Sequence, residues 1–519
     1  MPALAADALA EQPSELSVTV YRAPERGSGS IDLNALGGFA LVSETRTVHL
    51  PVGVSRLRFE GVADGIEPAS AIVTGLPSGV IEKNREGKLL SPAALVANAV
   101  GKPMTLLRTD KKSGKLTRLA GRIRSDAGGG VIFETPEGIE ALRCSGLPES
   151  FSFSDVADLA ATPTLSVLVR SSAPITRTVT LSYLARGFDW AADYTATVSA
   201  DGKSMDLGAW VTLANGNGVG FPAAHTQVVA GRVNRESGQV EPLDPGGPIL
   251  AQCWPRGSTS DSPAVLQIDT LSLGGGMDKK RAGVFPMAMS AAPRLEGVTA
   301  TARRVEQEQL GDLKLYRVPD RSTVASRQSK QVRLLDRLAI PISVVYSADL
   351  AANESTSIPA ARLLRTINSA ANHLGLPLPS GRVAVYALKG DEKLLQRESG
   401  IRDLAVDEEV EVSLGDTADV QLTVVKEKTG IDPGRTHLLP LVPGISARSA
   451  EVDSLMRVEI ANARATAIQF ELRLRLPEGG RVIRADHPLA MKNGRPIFRL
   501  TIPANERATV RYQTQHTVG

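Results

Sequence analysis

The chain has 519 residues, and 59 Lys and Arg against 56 Asp and Glu give a formal net charge of +3. This near balance gives no overall attraction to nucleic acid, and an aromatic content of 4% leaves few side chains for stacking on bases. We therefore predict no nucleic-acid partner. The sequence contains no run of about 18 apolar residues, so we predict no membrane span either.

The composition indicates a mostly β fold with several antiparallel domains and little helix. The 47 Gly and 32 Pro punctuate short segments rich in Val, Thr and Leu, a pattern typical of strands joined by turns. We predict five regions: a disordered tail or signal-peptide remnant (1–14), an N-terminal β domain (15–88), a small barrel-like β module (89–148), a central β region (160–414) with a mobile insertion (234–309), and a C-terminal β-sandwich of immunoglobulin-like topology (415–519).

The first residues, "MPALAADALAEQPSE", resemble the small-residue cleavage region of a secretory signal. The charged and apolar parts of such a signal are missing. Export is predicted, which makes the protein periplasmic or secreted, and a cytoplasmic location remains the alternative. Cys144 and Cys253 could pair in an oxidising compartment, but their spacing does not decide it.

Local signals identify several elements along the chain. Ser91 followed by Pro92 predicts the start of a short helix, and Gly101 its end. Asp-Gly within "ADGKS" predicts a β-hairpin turn at 200–204. In "TAIQFELRLRL", apolar residues from Ile468 onward alternate with Gln, Glu and Arg, which predicts a strand with a buried face and a solvated face.

No motif in the sequence predicts catalysis, a metal site or a cofactor. HExxH and GxSxG are absent, and the six histidines are scattered. "NGNGVG" at 215–220 lacks the GxGxxG spacing of a dinucleotide loop. Asp407, Glu408 and Glu409 could suggest acid–base chemistry, but the solvated start of a strand explains them more simply.

Trp190 and Trp210 differ in their place within their strands. Trp190 shares the parity of apolar neighbours, which predicts a core position. Trp210 lies opposite the apolar face formed by residues such as Val211, so it is buried only if both faces of the sheet are covered. Otherwise Trp210 is an exposed aromatic and a candidate partner contact.

The basic stretch 310–337 indicates a strand with a charged outer face more than a phosphate site. Arg327 and Arg333 fall on the side opposite the apolar residues. Lys330 falls on the apolar side, which predicts either a nearby bulge or a paired buried charge. Together with Trp210, these three residues are the candidate partner-binding residues.

Three segments resemble a bacterial family known as domain of unknown function 4139, the mucoidy-inhibitor-like group. They are "VTLSYLARGFDWAADYTATVSADGKSMDLGAWVTLANGNG", "LGDLKLYRVPDRSTVASRQSKQVRLL" and "LGLPLPSGRVAVY". The N-terminal "VTVYRA…VHLPVGVSRLRFEGV" is more loosely similar to the companion domain that often precedes this family. Many relatives carry a coiled coil between the two parts, and this chain has none there.

The resemblance implies an exported protein of mostly β architecture from a Gram-negative bacterium, and it brings no catalytic residues. We therefore predict a non-enzymatic periplasmic or envelope-associated protein whose partner is an envelope protein or a polysaccharide. The alternative is a hydrolase acting on cell-envelope polymers, which would require carboxylates or a Ser or Cys with His to converge in a pocket.

Overall fold

The structure is a computed structural model that describes residues 6–86, 89–110, 112–125, 131–141, 149–153, 159–231, 233, 306–310, 313–318, 320–352, 354–390, 392–442 and 445–518. The predicted fold class is confirmed, because 67% of the structure is strand and 3% is helix. Among the described residues, no helix has the length and apolar character needed to cross a membrane.

The first half of the described chain contains fifteen strands and one α-helix. They are β1 (Ala6–Leu9), β2 (Glu15–Tyr21), β3 (Gly38–Leu50), β4 (Gly53–Glu60), β5 (Ile72–Thr74), β6 (Glu82–Glu86), α1 (Pro92–Asn98), β7 (Pro103–Thr109), β8 (Leu116–Ile123), β9 (Ile132–Thr135), β10 (Gly138–Ala141), β11 (Glu149–Ser152), β12 (Thr164–Ser171), β13 (Ile175–Val198), β14 (Ser204–Asn215) and β15 (Phe221–Ala230).

The second half contains fifteen more strands within the described ranges. They are β16 (Glu306–Leu310), β17 (Leu313–Arg317), β18 (Ser322–Val324), β19 (Gln328–Pro341), β20 (Ser343–Ala351), β21 (Thr356–Ile367), β22 (Gly381–Lys389), β23 (Glu392–Ile401), β24 (Glu409–Val442), β25 (Ile445–Asn462), β26 (Ile468–Arg475), β27 (Arg481–Ala485), β28 (Leu489–Lys492), β29 (Arg495–Ile502) and β30 (Arg507–Val518). Short 3₁₀ turns occupy Pro68–Ser70 and Ala370–Asn372.

A twelve-stranded sheet forms around β13 and draws strands from the predicted N-terminal and central regions alike. The main order is β16-β17-β15-β2-β3-β13-β14-β19. In addition, β5 and the β22–β23 hairpin attach to β13, and β18 pairs with β15. The predicted Asp-Gly turn joins β13 to β14, and Gly202 has φ +69° there. The predicted N-terminal region (15–88) and central region (160–414) therefore both contribute strands to this sheet.

The register of β13 changes at Gly187, where its pairing partners also change. Before this residue, β13 pairs with β3, and beyond it with β14 and β22. Gly187 has φ +80°, a conformation that side-chain-bearing residues rarely adopt. The bulge lets one strand serve two sets of neighbours over its 24 residues.

The segment predicted as a disordered tail contains a strand. β1 pairs in parallel with β4, which also pairs with β12. Ala8 and Ala10 are buried, and the main-chain nitrogen of Ala10 donates to the carbonyl oxygen of Arg58 at 2.9 Å. The small side chains of this segment allow the close packing. The same small-residue composition is what predicted a disordered tail from the sequence.

The predicted barrel-like module is a nearly closed sheet with its own core. Its order is β10-β9-β8-β7-β11, and Leu106 and Phe133 are fully buried inside it. The predicted helix is α1, and the main-chain nitrogen of Ala94 donates to the Ser91 hydroxyl at 3.1 Å. This hydrogen bond is the N-cap that the sequence indicated.

The C-terminal strands form a nine-stranded sheet that folds over one core. The order is β27-β30-β25-β24-β21-β20-β26-β29-β28, and both halves contribute to the core, for example Val458 and Phe470. β20 and β21 precede the predicted boundary at 415, and β24 runs across it. The chain leaves this sheet after β21, adds β22 and β23 to the twelve-stranded sheet, and returns at β24.

Two predictions fall largely or wholly outside the described residues. Of the predicted insertion 234–309, the structure describes only 306–309, and these residues belong to β16 instead of to an irregular segment. β16 pairs with β17. Cys144 and Cys253 also lie outside the described residues.

The parallel contact between β22 and β13 leaves no room for a side chain at Gly381. A Cβ at this position would lie 2.1 Å from the carbonyl oxygen of Ala192. We expect Gly381→Ala to lower the free energy of unfolding by about 1–3 kcal/mol, measured by urea denaturation. The control Gly430→Ala, which places its Cβ in open space, should stay within about 0.5 kcal/mol of the parent. An equal effect of the two would contradict the pairing.

Candidate functional site

Trp210 lies in a cross-strand row on the outer face of the twelve-stranded sheet. Asp193 stands opposite both Arg382 and Trp210, and Trp210 stands opposite Arg333. We call these four residues the Trp210 row. Trp210 is partly exposed, so the outer face of the sheet is not covered there.

The side chains of the Trp210 row contact one another from strand to strand. The Arg333 guanidinium lies over the Trp210 ring, 4.9 Å from its centroid. An Asp193 carboxylate oxygen accepts from the Thr212 hydroxyl at 2.6 Å, and the other lies 3.4 Å from the Arg382 guanidinium. Arg333 and Arg382 remain about half exposed, so these contacts leave both cations open to a partner.

A bulge in β19 turns Arg333 toward Trp210. Ala209 stands opposite Leu335 and Trp210 opposite Arg333, which leaves Leu334 as the extra residue. Both leucines are buried, while Arg333 and Asp336 face solvent and form an ion pair at 2.6 Å. A bulge therefore lies near Lys330, as one of the two predictions had it, but it does not change the face on which Lys330 lies.

The structure does not bring Arg327 and Lys330 to the Trp210 row. Lys330 stands opposite Leu213, a core residue, so it belongs to the other face of the sheet. Its side chain is exposed at the end of the strand, so the predicted buried charge pair is wrong. Arg327 lies in the turn before β19 with φ +50°.

Residues of the three segments that resemble the mucoidy-inhibitor-like group meet in the core and not at a surface. Trp190 is fully buried, and its indole nitrogen donates to the Val229 carbonyl oxygen at 3.0 Å. The Tyr194 hydroxyl donates to the carbonyl oxygen of Pro379 at 2.7 Å. The Tyr316 hydroxyl donates to the carbonyl oxygen of Pro377 at 3.1 Å. The predicted core position of Trp190 is confirmed, and these residues hold strands together.

A second polar site lies on the nine-stranded sheet and was missed at the sequence level. Its members are three carboxylates and three cations from four strands, which we call the Lys492 cluster: Arg365, Glu409, Glu411, Glu471, Arg473 and Lys492. Lys492 donates to Glu409, and to Glu411 at 2.8 Å. Glu409 and Glu411 line a cavity of ≈ 520 Å³ beside Arg402 and Arg499.

Two carboxylates of the Lys492 cluster, Glu411 and Glu471, are held ionised. Burial opposes the charge of Glu411, but hydrogen bonds from Lys492 and Arg473 outweigh it and lower its pKa to about 2. Burial likewise opposes the charge of Glu471, and hydrogen bonds from Arg365 and Arg473 lower its pKa to about 2. Neither group holds a proton near neutral pH, so neither suits the role of a general acid.

Alternation in β26 predicted that Glu471 and Arg473 face solvent, but other side chains cover Glu471 almost completely. Glu471 is 1% exposed although it lies opposite the core residues of β26. Arg365 and Lys492, from distant strands, close over it. Glu409 is only partly exposed as well, so the interpretation of 407–409 as a solvated strand start holds only in part. Period-two alternation separates two faces but does not show what covers them.

No family model matches the chain, and no curated protein matches it.

The Lys492 cluster predicts a specific acid sensitivity. Because the pKa values of Glu411 and Glu471 lie near 2 instead of the ordinary 4.5, their stabilisation is complete above pH 4.5 and is lost as the pH falls toward 2. We expect Glu471→Gln to lower the free energy of unfolding at pH 7. The variant should also lose less of that free energy than the parent between pH 4.5 and 2, as measured by urea denaturation across this range. The exposed control Glu398→Gln should leave the profile unchanged; an unchanged profile for Glu471→Gln would refute the assignment.

Proposed function

We propose that this chain is a non-enzymatic exported protein, periplasmic or envelope-associated, that binds a protein or polysaccharide partner through the outer face of its largest sheet. The observation that carries the proposal is the Trp210 row, with a partly exposed Trp beside two half-exposed Arg side chains. Tryptophan and arginine are the residues that most often dominate binding surfaces.

The surroundings of Trp210 suit recognition of a polar partner. Gln331 donates to the Thr212 hydroxyl at 3.1 Å, so amide and hydroxyl groups stand beside the indole ring. A ring with polar neighbours can pack on a sugar or a side chain while the neighbours make hydrogen bonds. Within the described residues, β19 ends the sheet order, so a partner strand could also add there.

Export to the envelope is supported by the sequence alone. The three segments that resemble the mucoidy-inhibitor-like group agree with it.

A hydrolase acting on envelope polymers is the alternative, and one observation favours it. Glu409 and Glu411 line one cavity, and paired carboxylates are the usual means of cleaving glycosidic bonds. That chemistry needs a protonated acid, whereas Glu411 has a pKa of about 2. Release of reducing ends from envelope polymers, abolished by Glu409→Gln, would favour this alternative over a binding role.

Substitution of Trp210 tests the binding proposal. We expect Trp210→Ala to weaken binding to immobilised envelope polysaccharide or envelope protein at least tenfold, measured by biolayer interferometry, because a central aromatic contributes about 2 kcal/mol or more. Arg333→Ala should weaken binding in the same assay. Lys330→Ala removes the same charge from the opposite face of the strand and serves as the matched control. Undiminished binding by Trp210→Ala would exclude the row as the site.

A further inference from the structure

A cavity of ≈ 470 Å³ opens beside the start of β2 and has a buried ion pair among its lining residues. The pair is Glu44 and Arg46 of β3, each 1% exposed. We call this space the Arg46 cavity. It shares no lining residue with the Trp210 row, and its volume falls in the range of small-molecule sites.

Polar groups at the floor of the Arg46 cavity are only partly used. A guanidinium has five N–H groups. Arg46 donates two of them to the Glu44 carboxylate, at 2.9 and 2.5 Å, and one to the Glu11 carbonyl oxygen at 3.4 Å. Glu44 accepts these two and one more from the Tyr183 hydroxyl at 2.7 Å, out of about four acceptor positions. Within the described part of the chain, two donors and about one acceptor therefore remain.

The buried Glu44–Arg46 pair at the floor of this cavity is poorly explained by stability alone. A buried ion pair loses its hydration, and apolar residues of the same volume are often as stabilising. Burial raises the pKa of Glu44, against the nearby Arg46 charge that lowers it. Unused donors beside a cavity can recover hydrogen bonds from a bound molecule, which gives the pair a use beyond packing.

The charges around the Arg46 cavity balance. Glu60 and Arg321 line it as well, so the four ionisable side chains comprise two carboxylates and two guanidinium groups. A ligand with a net negative charge would meet the carboxylates, and one with a net positive charge would meet the guanidinium groups. Pro222, which is exposed, adds an apolar ring to the lining. The combination suits a neutral molecule with hydroxyl groups and an apolar face.

We propose that the Arg46 cavity binds a neutral, hydroxyl-rich ligand, a short saccharide unit. A hydroxyl group both donates and accepts, so neighbouring hydroxyls of one sugar can accept from Arg46 and donate to Glu44. The apolar face of the sugar packs on the ring of Pro222. This site is separate from the Trp210 row and does not depend on the function proposed for it.

The test uses the full chain and a defined set of probes in saturation-transfer NMR and calorimetric titration. The probes are the methyl glycosides of glucose, galactose and N-acetylglucosamine, with glucuronic acid and glucosamine as charged counterparts. We expect at least one neutral glycoside to bind and to compete better than both charged sugars. Absence of binding by every neutral glycoside, or equal binding of the charged sugars, would overturn the proposal.

Two variants separate recognition from folding. Arg46→Gln should abolish binding, but it also breaks a buried ion pair. Gln12 lines the cavity and is exposed, so Gln12→Trp narrows the entrance and leaves the floor intact. We expect at least a tenfold loss of affinity for Gln12→Trp and none for the exposed control Gln328→Trp or for Trp210→Ala. Unaltered affinity in Gln12→Trp would refute the site.

Discussion

The main-chain pairing of β13 is the constraint on which the rest of the structure depends. This strand pairs with β3, β5, β14 and β22, so segments far apart in sequence take their positions from it. The bulge at Gly187 allows the change of partners, and Gly381 allows the close approach of β22. The Trp210 row exists because these strands place their outward residues in register.

Buried charges fix the loops around this strand. Asp189 is fully buried and accepts from the guanidinium of Arg26 and from the main-chain nitrogens of Ala23 and Trp190. Arg22 reaches the Ser380 hydroxyl at 2.6 Å and Asp403 at 2.7 Å. The chain near residue 22 is thereby bound to the chain near residue 400. Loss of Arg26 would leave the buried charge of Asp189 without its cation, so this pair favours the observed arrangement of the loop.

Sequence reasoning anticipated the strand-rich class, the Ser91 cap and the Asp-Gly turn because each rests on local chemistry. It did not anticipate the Lys492 cluster, because the residues that cover Glu471 come from distant strands. It grouped Arg327, Lys330 and Arg333 as one candidate surface, whereas Arg327 lies in the turn before β19 and Lys330 stands opposite the core residue Leu213. Pairing across more than a hundred residues leaves no mark in local periodicity, and neither does the order of strands in a sheet.

The route of the chain between its two largest sheets has a mechanical consequence. The chain leaves the nine-stranded sheet after β21, adds a hairpin to β13, and returns to that sheet at β24. Leu364 and Val410, on either side of this excursion, pack into the core of the twelve-stranded sheet. The two sheets are therefore connected by the main chain as well as by side-chain packing. A pulling force applied to the nine-stranded sheet would be transmitted to β13 through β22. The two sheets should therefore unfold together and not one after the other.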